Sequence, residues 1–228
     1  MVGTSDFVEL IKGRRSIRAW QDRPVPEELL VQAIELATWA PNGANAQIWF
    51  FYLILDSKII KTIGDAARES MEMVASWPET AKSSGFPPRP STPEGQEAPP
   101  PPKRSPLSDA PAMILVGAKN RENPLNKILA ERAQVDEKAA QMLEWSKSLQ
   151  PGIQSVAAGI AYLLLALHQL GLGATWMTGP LSLTKGEVEK LIGVPSNISI
   201  IALIPVGYPD DTPQGIRRPV SEICRVIK

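Results

Sequence analysis

Apolar residues along the chain alternate between helical spacing and unbroken runs, and the changes from one to the other mark the elements. Asp6 with Glu9 three positions later reads as a capping box, and Phe7, Leu10 and Ile11 follow as one face of a short helix ending at Gly13. A second helix is expected from Pro26, with Leu29, Leu30, Ala33, Ile34 and Ala37 as its stripe, stopping before Pro41. Trp49 to Leu55 is a continuous aromatic and branched run bounded by Asp56 and Ser57, which predicts a buried strand. Helical spacing returns over residues 58 to 76 through Ile59, Ile60, Ile63, Ala67, Met71 and Val74. Ala112 to Ala118 predicts a second strand, and the polar stretch Asn123 to Lys147 predicts one or two surface helices. A long apolar helix is expected from about Gly152 to Leu170, closed by Gly171 and Gly173. A short strand at Ala174 to Met177, a helix introduced by a capping box at Thr184 and Glu187, and a strand at Ile198 to Val206 complete the series. Pro219 to Ile227 alternates enough to predict an edge or exchanged strand. Irregular alternation of strands and helices predicts an α+β layered domain rather than a doubly wound one.

Composition changes this picture at one place. Ten of the 22 prolines in 228 residues lie between Pro87 and Pro111, so the segment from about 77 to 111 reads as a proline-rich insert in one domain spanning 1–228. Three readings of the insert stand side by side: a surface extension, a lid using Trp77 or Phe86, and a docking peptide with PxxP spacing. The charge balance of 24 basic against 24 acidic residues gives no overall field toward nucleic acid or an anionic membrane. Cys224 is the only cysteine and His168 the only histidine, which leaves no disulfide and no zinc ligand set. His168 lies on the long apolar helix and reads as a core or surface helix residue. The Ile153 to Leu167 run is shorter than the roughly 20 residues a membrane span needs. No secretory leader is visible in Met1 to Asp6, so the expected location is cytoplasmic.

Four clusters carry candidate chemistry. Arg14, Arg15, Ser16 and Arg18 place three guanidiniums and a hydroxyl within five residues, a set suited to phosphate and equally compatible with a solvated loop. Pro41 to Gln47 holds three side-chain amides, able to read a heterocycle edge or simply to form a turn. Gly171-Leu172-Gly173 runs into Trp176, Met177, Thr178 and Gly179; it follows a helix and lacks the third glycine, which excludes a Rossmann fingerprint. Arg217 and Arg218 before Pro219 add a distant cationic point.

Taken in this order, the four clusters resemble the nitroreductase family of flavin enzymes over nearly the whole chain outside the insert. The resemblance implies a nitroreductase-like α+β fold: a mostly antiparallel central sheet flanked by helices, a central dimer helix from Gly152, and a C-terminal strand exchanged between subunits. It implies FMN bound at a homodimer interface, with Arg14, Arg15, Ser16 and Arg18 on the phosphate and pyrimidine edge and Arg217 on the phosphate. Pro41, Asn42, Gly43 and Asn45 would reach over from the other subunit, and Met177, Thr178 and Gly179 would face the ring near N5. A role for Arg218 is left open. NADH or NADPH would supply hydride, and an electron-poor acceptor (nitroaromatic, quinone, activated alkene or halogenated phenol) would receive it by a ping-pong route. No side chain presents as a dedicated acid, base or nucleophile, which suits chemistry carried by a cofactor. A flavin-binding protein without turnover, and a dehalogenating or flavin-degrading enzyme on the same fold, are the alternatives. The sequence departs from the family at Ile48, where Pro is common, and at Ala161-Tyr162, where a Gln-Asn pair is common.

Overall fold

The computed structural model describes residues 4–83 and 105–228. Ala112–Lys119 (β2) is buried at every position but its last, because both faces of the sheet it belongs to are covered. Trp49–Ile54 (β1) pairs with it on one side and Ile198–Gly207 (β4) on the other, and Gly173–Ala174 (β3) closes the order β1-β2-β4-β3. All three ladders are antiparallel. Among the described residues the one parallel link is a bridge from Ser16 to Ala174, which fastens the arginine-bearing loop to the β3 edge.

The two faces are sorted by the pleat. Ala112, Ile114, Val116 and Ala118 face one core with Ala202, Ile204 and Val206, whereas Met113 and Leu115 face the other with Leu203. A bulge lies opposite Val116 and Gly117, where the pairing jumps from Ala202 to Ile200. The extra residue turns Ile200 to the second face, as a one-residue slip must. Glu27–Ala37 (α2) and Pro151–Gln169 (α7) cover the first face with Leu30, Ala33, Val156, Ile160, Leu163 and Leu167. Ser57–Ala75 (α3) and Gly179–Ile192 (α8) cover the second with Ile60, Ile63, Ala67, Leu181 and Val188. The result is helices over both faces of an antiparallel sheet.

Most expected elements form, and the differences have local causes. The first helix, α1, runs Thr4–Gly13, so Asp6 lies in its first turn, favourable to the helix dipole, instead of capping it. Asp56 does cap α3, accepting from Lys58 N at 2.7 Å. Pro78–Lys82 (α4) opens the proline-rich region; residues 84–104 lie outside the described residues. The far end of that region is not all surface: Leu107 and Ala110 are buried in the second core. Pro124–Arg132 (α5) and Glu137–Leu149 (α6) are the two polar helices. Gln150, left-handed at φ 45°, divides α6 from α7. By length and composition Glu137–Gln169 passes as one membrane-length helix, but seven α7 residues from Val156 to Leu167 are buried against α2 and the sheet. The helix expected at Thr184 begins five residues earlier, at Gly179: Thr184 is buried one turn in and donates to Pro180 O at 3.0 Å. At the C-terminus, Val220–Ile223 (α9) is a single helical turn where alternation predicted a strand, and residues 224–228 have no regular structure within one chain.

Candidate functional site

The arginine loop leaves α1 at Gly13 and is pinned within four residues. Arg14 N donates to Leu10 O at 3.2 Å, and Ile17 N donates to Ala174 O at 3.1 Å. The approach to β3 is so close that a Cβ on Gly173 would stand 2.7 Å from Ile17 Cγ1, so only glycine admits Ile17 there. Pinned in this way, Arg14 and Arg15 line a cavity of about 230 Å³ together with His168, Asp211 and Thr212. Arg15 is steadied by donating to Arg14 O at 2.8 Å and by contact with the Gly215 backbone, whose missing Cβ would lie 2.9 Å from Arg15 Nε.

Charge in this cavity is unbalanced. Burial lowers the pKa of Arg14, and the facing charges of Arg217 and Arg15 lower it further. Thus Arg217, some 200 residues away in sequence, stands close enough to Arg14 to repel it. Among the described residues no carboxylate forms an ion pair with Arg14, Arg15 or Arg217. Asp211 is the one acid on the cavity wall: burial pushes its carboxyl up, the backbone N–H of Arg18 partly restores it, and its Oδ1 is buried without a partner. Arg18 itself is exposed, its Nη1 donating to Ser16 O at 3.4 Å. Guanidiniums collected without counter-charges are the donor set of a phosphate site.

From Ala174 the chain continues past this cavity. Met177 exchanges two 2.9 Å backbone hydrogen bonds with Leu203, which fixes the strand end. The backbone N–H groups of Thr178 and Gly179 donate to nothing among the described residues, as expected at the open N-terminus of α8.

The amide loop lies elsewhere. Gly43 N donates to Ser155 Oγ at 3.3 Å near the start of α7, whereas His168 stands in its last turn, so loop and arginines are separated by roughly 20 Å of helix. Three of its residues, Ala44, Asn45 and Gln47, adopt left-handed φ near 50°. Each such residue costs about 1–2 kcal/mol in an L-amino acid, and the loop is held by its own amides. Asn42 Oδ1 accepts from Gln47 N at 2.9 Å, and Gln47 Nε2 donates to Asn45 Oδ1 at 3.1 Å. Asn42, Gly43, Gln47 and Ser155 line a second cavity of about 570 Å³ whose other wall is the 119–126 segment. The structure therefore places Arg14 and Arg15 in the cavity at the last turn of α7, with Ser16 bridged to Ala174 beside it and Arg217 near Arg14, sets Met177 against Leu203 further along the chain, and leaves Pro41, Asn42, Gly43 and Asn45 at the other end of α7.

A family model, the nitroreductase family, matches residues 11–208, from α1 through the end of β4. The chain belongs to the nitroreductase family. As a member of this family it is a flavoprotein oxidoreductase. It is 29% identical over 211 residues to an iodotyrosine deiodinase of Thermotoga neapolitana, covering 89% of this chain and 88% of that one. It is also 29% identical over 202 residues to a Thermus thermophilus protein named NADH dehydrogenase, covering 86% and 83%. Among solved structures, a BluB-like flavoprotein from Clostridium difficile superposes with TM-score 0.73 at 22% identity over 97% of this chain and 99% of that one, which speaks for the fold. An oxidised iodotyrosine deiodinase bound to FMN and 3-iodo-L-tyrosine superposes with TM-score 0.63 at 25% identity over 97% and 96%.

In this nitroreductase-family chain the arginines are legible from sequence, whereas His168 and Asp211 as cavity residues and Ser155 as the anchor of the amide loop are not. His168 sits three residues before the Gly171 break, so its place at the helix end was legible. Its neighbours Gly13 to Arg15 lie more than 150 positions away, and no local pattern encodes that contact.

Proposed function

We propose that the protein is a homodimeric FMN-dependent oxidoreductase that transfers hydride equivalents from NADH or NADPH to an electron-poor small molecule. The observation that carries this reading is the cavity lined by Arg14 and Arg15, with Arg217 close enough to repel Arg14 and no carboxylate among the described residues paired to any of the three, in a chain of a flavoprotein family. A phosphomonoester of about −1.5 to −2 charge supplies the missing counter-charge and three acceptor oxygens. Those arginines would hold the FMN phosphate, with Ser16 and Arg18 toward the pyrimidine edge. The free N–H groups after Met177, at Thr178 and Gly179, suit the ring edge near N5.

The amide loop is too far from the arginines of its own chain to share their ligand. Two α7 helices packed antiparallel about a twofold axis would set the Ser155 end of one beside the His168 end of the other. Pro41, Asn42, Gly43 and Asn45 would then complete the partner's site. β1 is an edge strand with one neighbour, and Val220, Ile223, Val226 and Ile227 are all highly exposed in a single chain. Both features suit a C-terminal segment exchanged between subunits and laid along that edge.

Held by Arg14 and Arg15, FMN would supply the redox chemistry that links NAD(P)H to the acceptor. The protein's residues then need only bind, orient and expose the ring, consistent with the lack of a dedicated acid or base. Anaerobic addition of NADH and of NADPH to the purified FMN-bound protein tests this. Flavin bleaching by at least one of them, reversed by a quinone or nitroaromatic, is the expected result; bound FMN that neither reduces would favour flavin binding without turnover. Similarity to iodotyrosine deiodinases supports a second acceptor class, aryl halides, in which two electrons and a proton replace halogen by hydrogen and release halide. Halide release from an iodophenol without nitroaromatic reduction would favour that class.

A further inference from the structure

His168 lines the cationic cavity, and space is made for it there. A Cβ on Gly13 would lie 3.1 Å from its Nε2, so the imidazole occupies room that residue 13 leaves by being glycine. The charges facing it come from two elements. Arg14 and Arg15 approach from the end of α1, and Asp211 from the 209–213 segment; α7 carries no other charged residue, and Gly171 to Ala174 are uncharged. Two guanidiniums oppose one carboxyl that burial itself pushes toward its neutral form. Burial and then the charges of Arg14 and Arg15 hold the His168 pKa below its ordinary value. An anion among the arginines would offset that field, and a hydrogen bond to it would favour the protonated ring.

We propose that His168 is a further, titratable ligand of the anionic group bound by Arg14 and Arg15, and that it takes up a proton as that group arrives. The identity of the group as the FMN phosphate rests on the function proposed above; the site itself rests on the cavity. Once protonated, both ring nitrogens donate, and the C-terminal end of α7 favours the cation. FMN binding would therefore draw in a proton at His168, a linkage that the permanently charged arginines cannot provide.

The single histidine makes the test direct. In the tag-free full chain its ring C–H signals need no assignment by mutation, and their pH titration can be followed by NMR without ligand, with FMN, with riboflavin and with inorganic phosphate. The expected midpoint lies below about 6.5 without ligand and rises by about one unit or more with FMN, while riboflavin leaves it unmoved. FMN bound, as judged by quenching of its own fluorescence, with an unchanged His168 titration would overturn the proposal, as would an equal shift with riboflavin. Should FMN fail to bind, a shift with inorganic phosphate would sustain the anion site while the flavin reading falls; no shift with either would end both. His168→Gln, which keeps a donor but does not titrate, should abolish the proton uptake seen calorimetrically on FMN binding.

Discussion

At Arg14, burial and the repulsion of Arg217 and Arg15 accumulate in a chain whose net charge is zero. Such a residue destabilises the empty protein and is repaid only when an anion binds. Arg14→Ala should accordingly weaken FMN by roughly 10- to 100-fold, from the loss of a charged hydrogen bond of about 1.5–3 kcal/mol, while riboflavin affinity stays near that of wild type. Fluorescence quenching titrations with the two flavins read this directly, and equal losses for both would argue against a phosphate contact. Three guanidiniums within five residues were legible as a phosphate candidate from Arg14 to Arg18. Arg217 was legible as a distant cationic point, but its place on the phosphate came from the family resemblance, because nothing local to Arg217-Arg218-Pro219 tells where the segment folds. The amides of Asn42, Asn45 and Gln47 were legible as loop residues, but not their mutual hydrogen bonds or the left-handed backbone at Asn45 and Gln47.

Among the elements, α3 shows how a helix fixes its surroundings. Ile60, Ile63, Gly64 and Ala67 form its buried stripe, and Lys61, Asp65, Arg68 and Glu72 form ion pairs on the outer face. Gly64 is the contact point with the 105–111 turn: a Cβ there would lie 2.7 Å from Ser108 N and 2.8 Å from Ser108 Cα. Because those atoms are backbone, Gly64→Ala should cost about 1–3 kcal/mol, measured as a lower melting temperature, and Ser108→Gly should not rescue it. The periodicity of α3 was plain in the sequence, as were the runs of β1, β2 and β4. The start of α8 was not, since Thr184 and Glu187 match a capping box and only burial of Thr184 shows that the helix is already under way. Nor was burial of Leu107 and Ala110, hidden behind a proline count that suggested surface throughout. The C-terminal segment forms a helical turn at Val220–Ile223 where a strand was expected, and it pairs with no strand among the described residues.

For the whole molecule, α7 is the measure that matters. It spans the distance between the arginine cavity at its end and the amide loop at its start, and it separates into two places what the family resemblance assigns to one ligand. A site built across a twofold axis reconciles these facts, and it predicts complementation. One chain carrying Arg14→Ala with Arg217→Ala, and another carrying Asn42→Ala with Asn45→Ala, should each retain little FMN as homodimers. In a hybrid of the two, one site combines both damaged halves and the other combines both intact halves. The decisive measurement is the FMN content of that hybrid, isolated with two different affinity tags and checked as a dimer by light scattering. About one flavin per hybrid dimer is the result predicted for sites shared between subunits; a hybrid as empty as its parents, or parents as full as wild type, would contradict it.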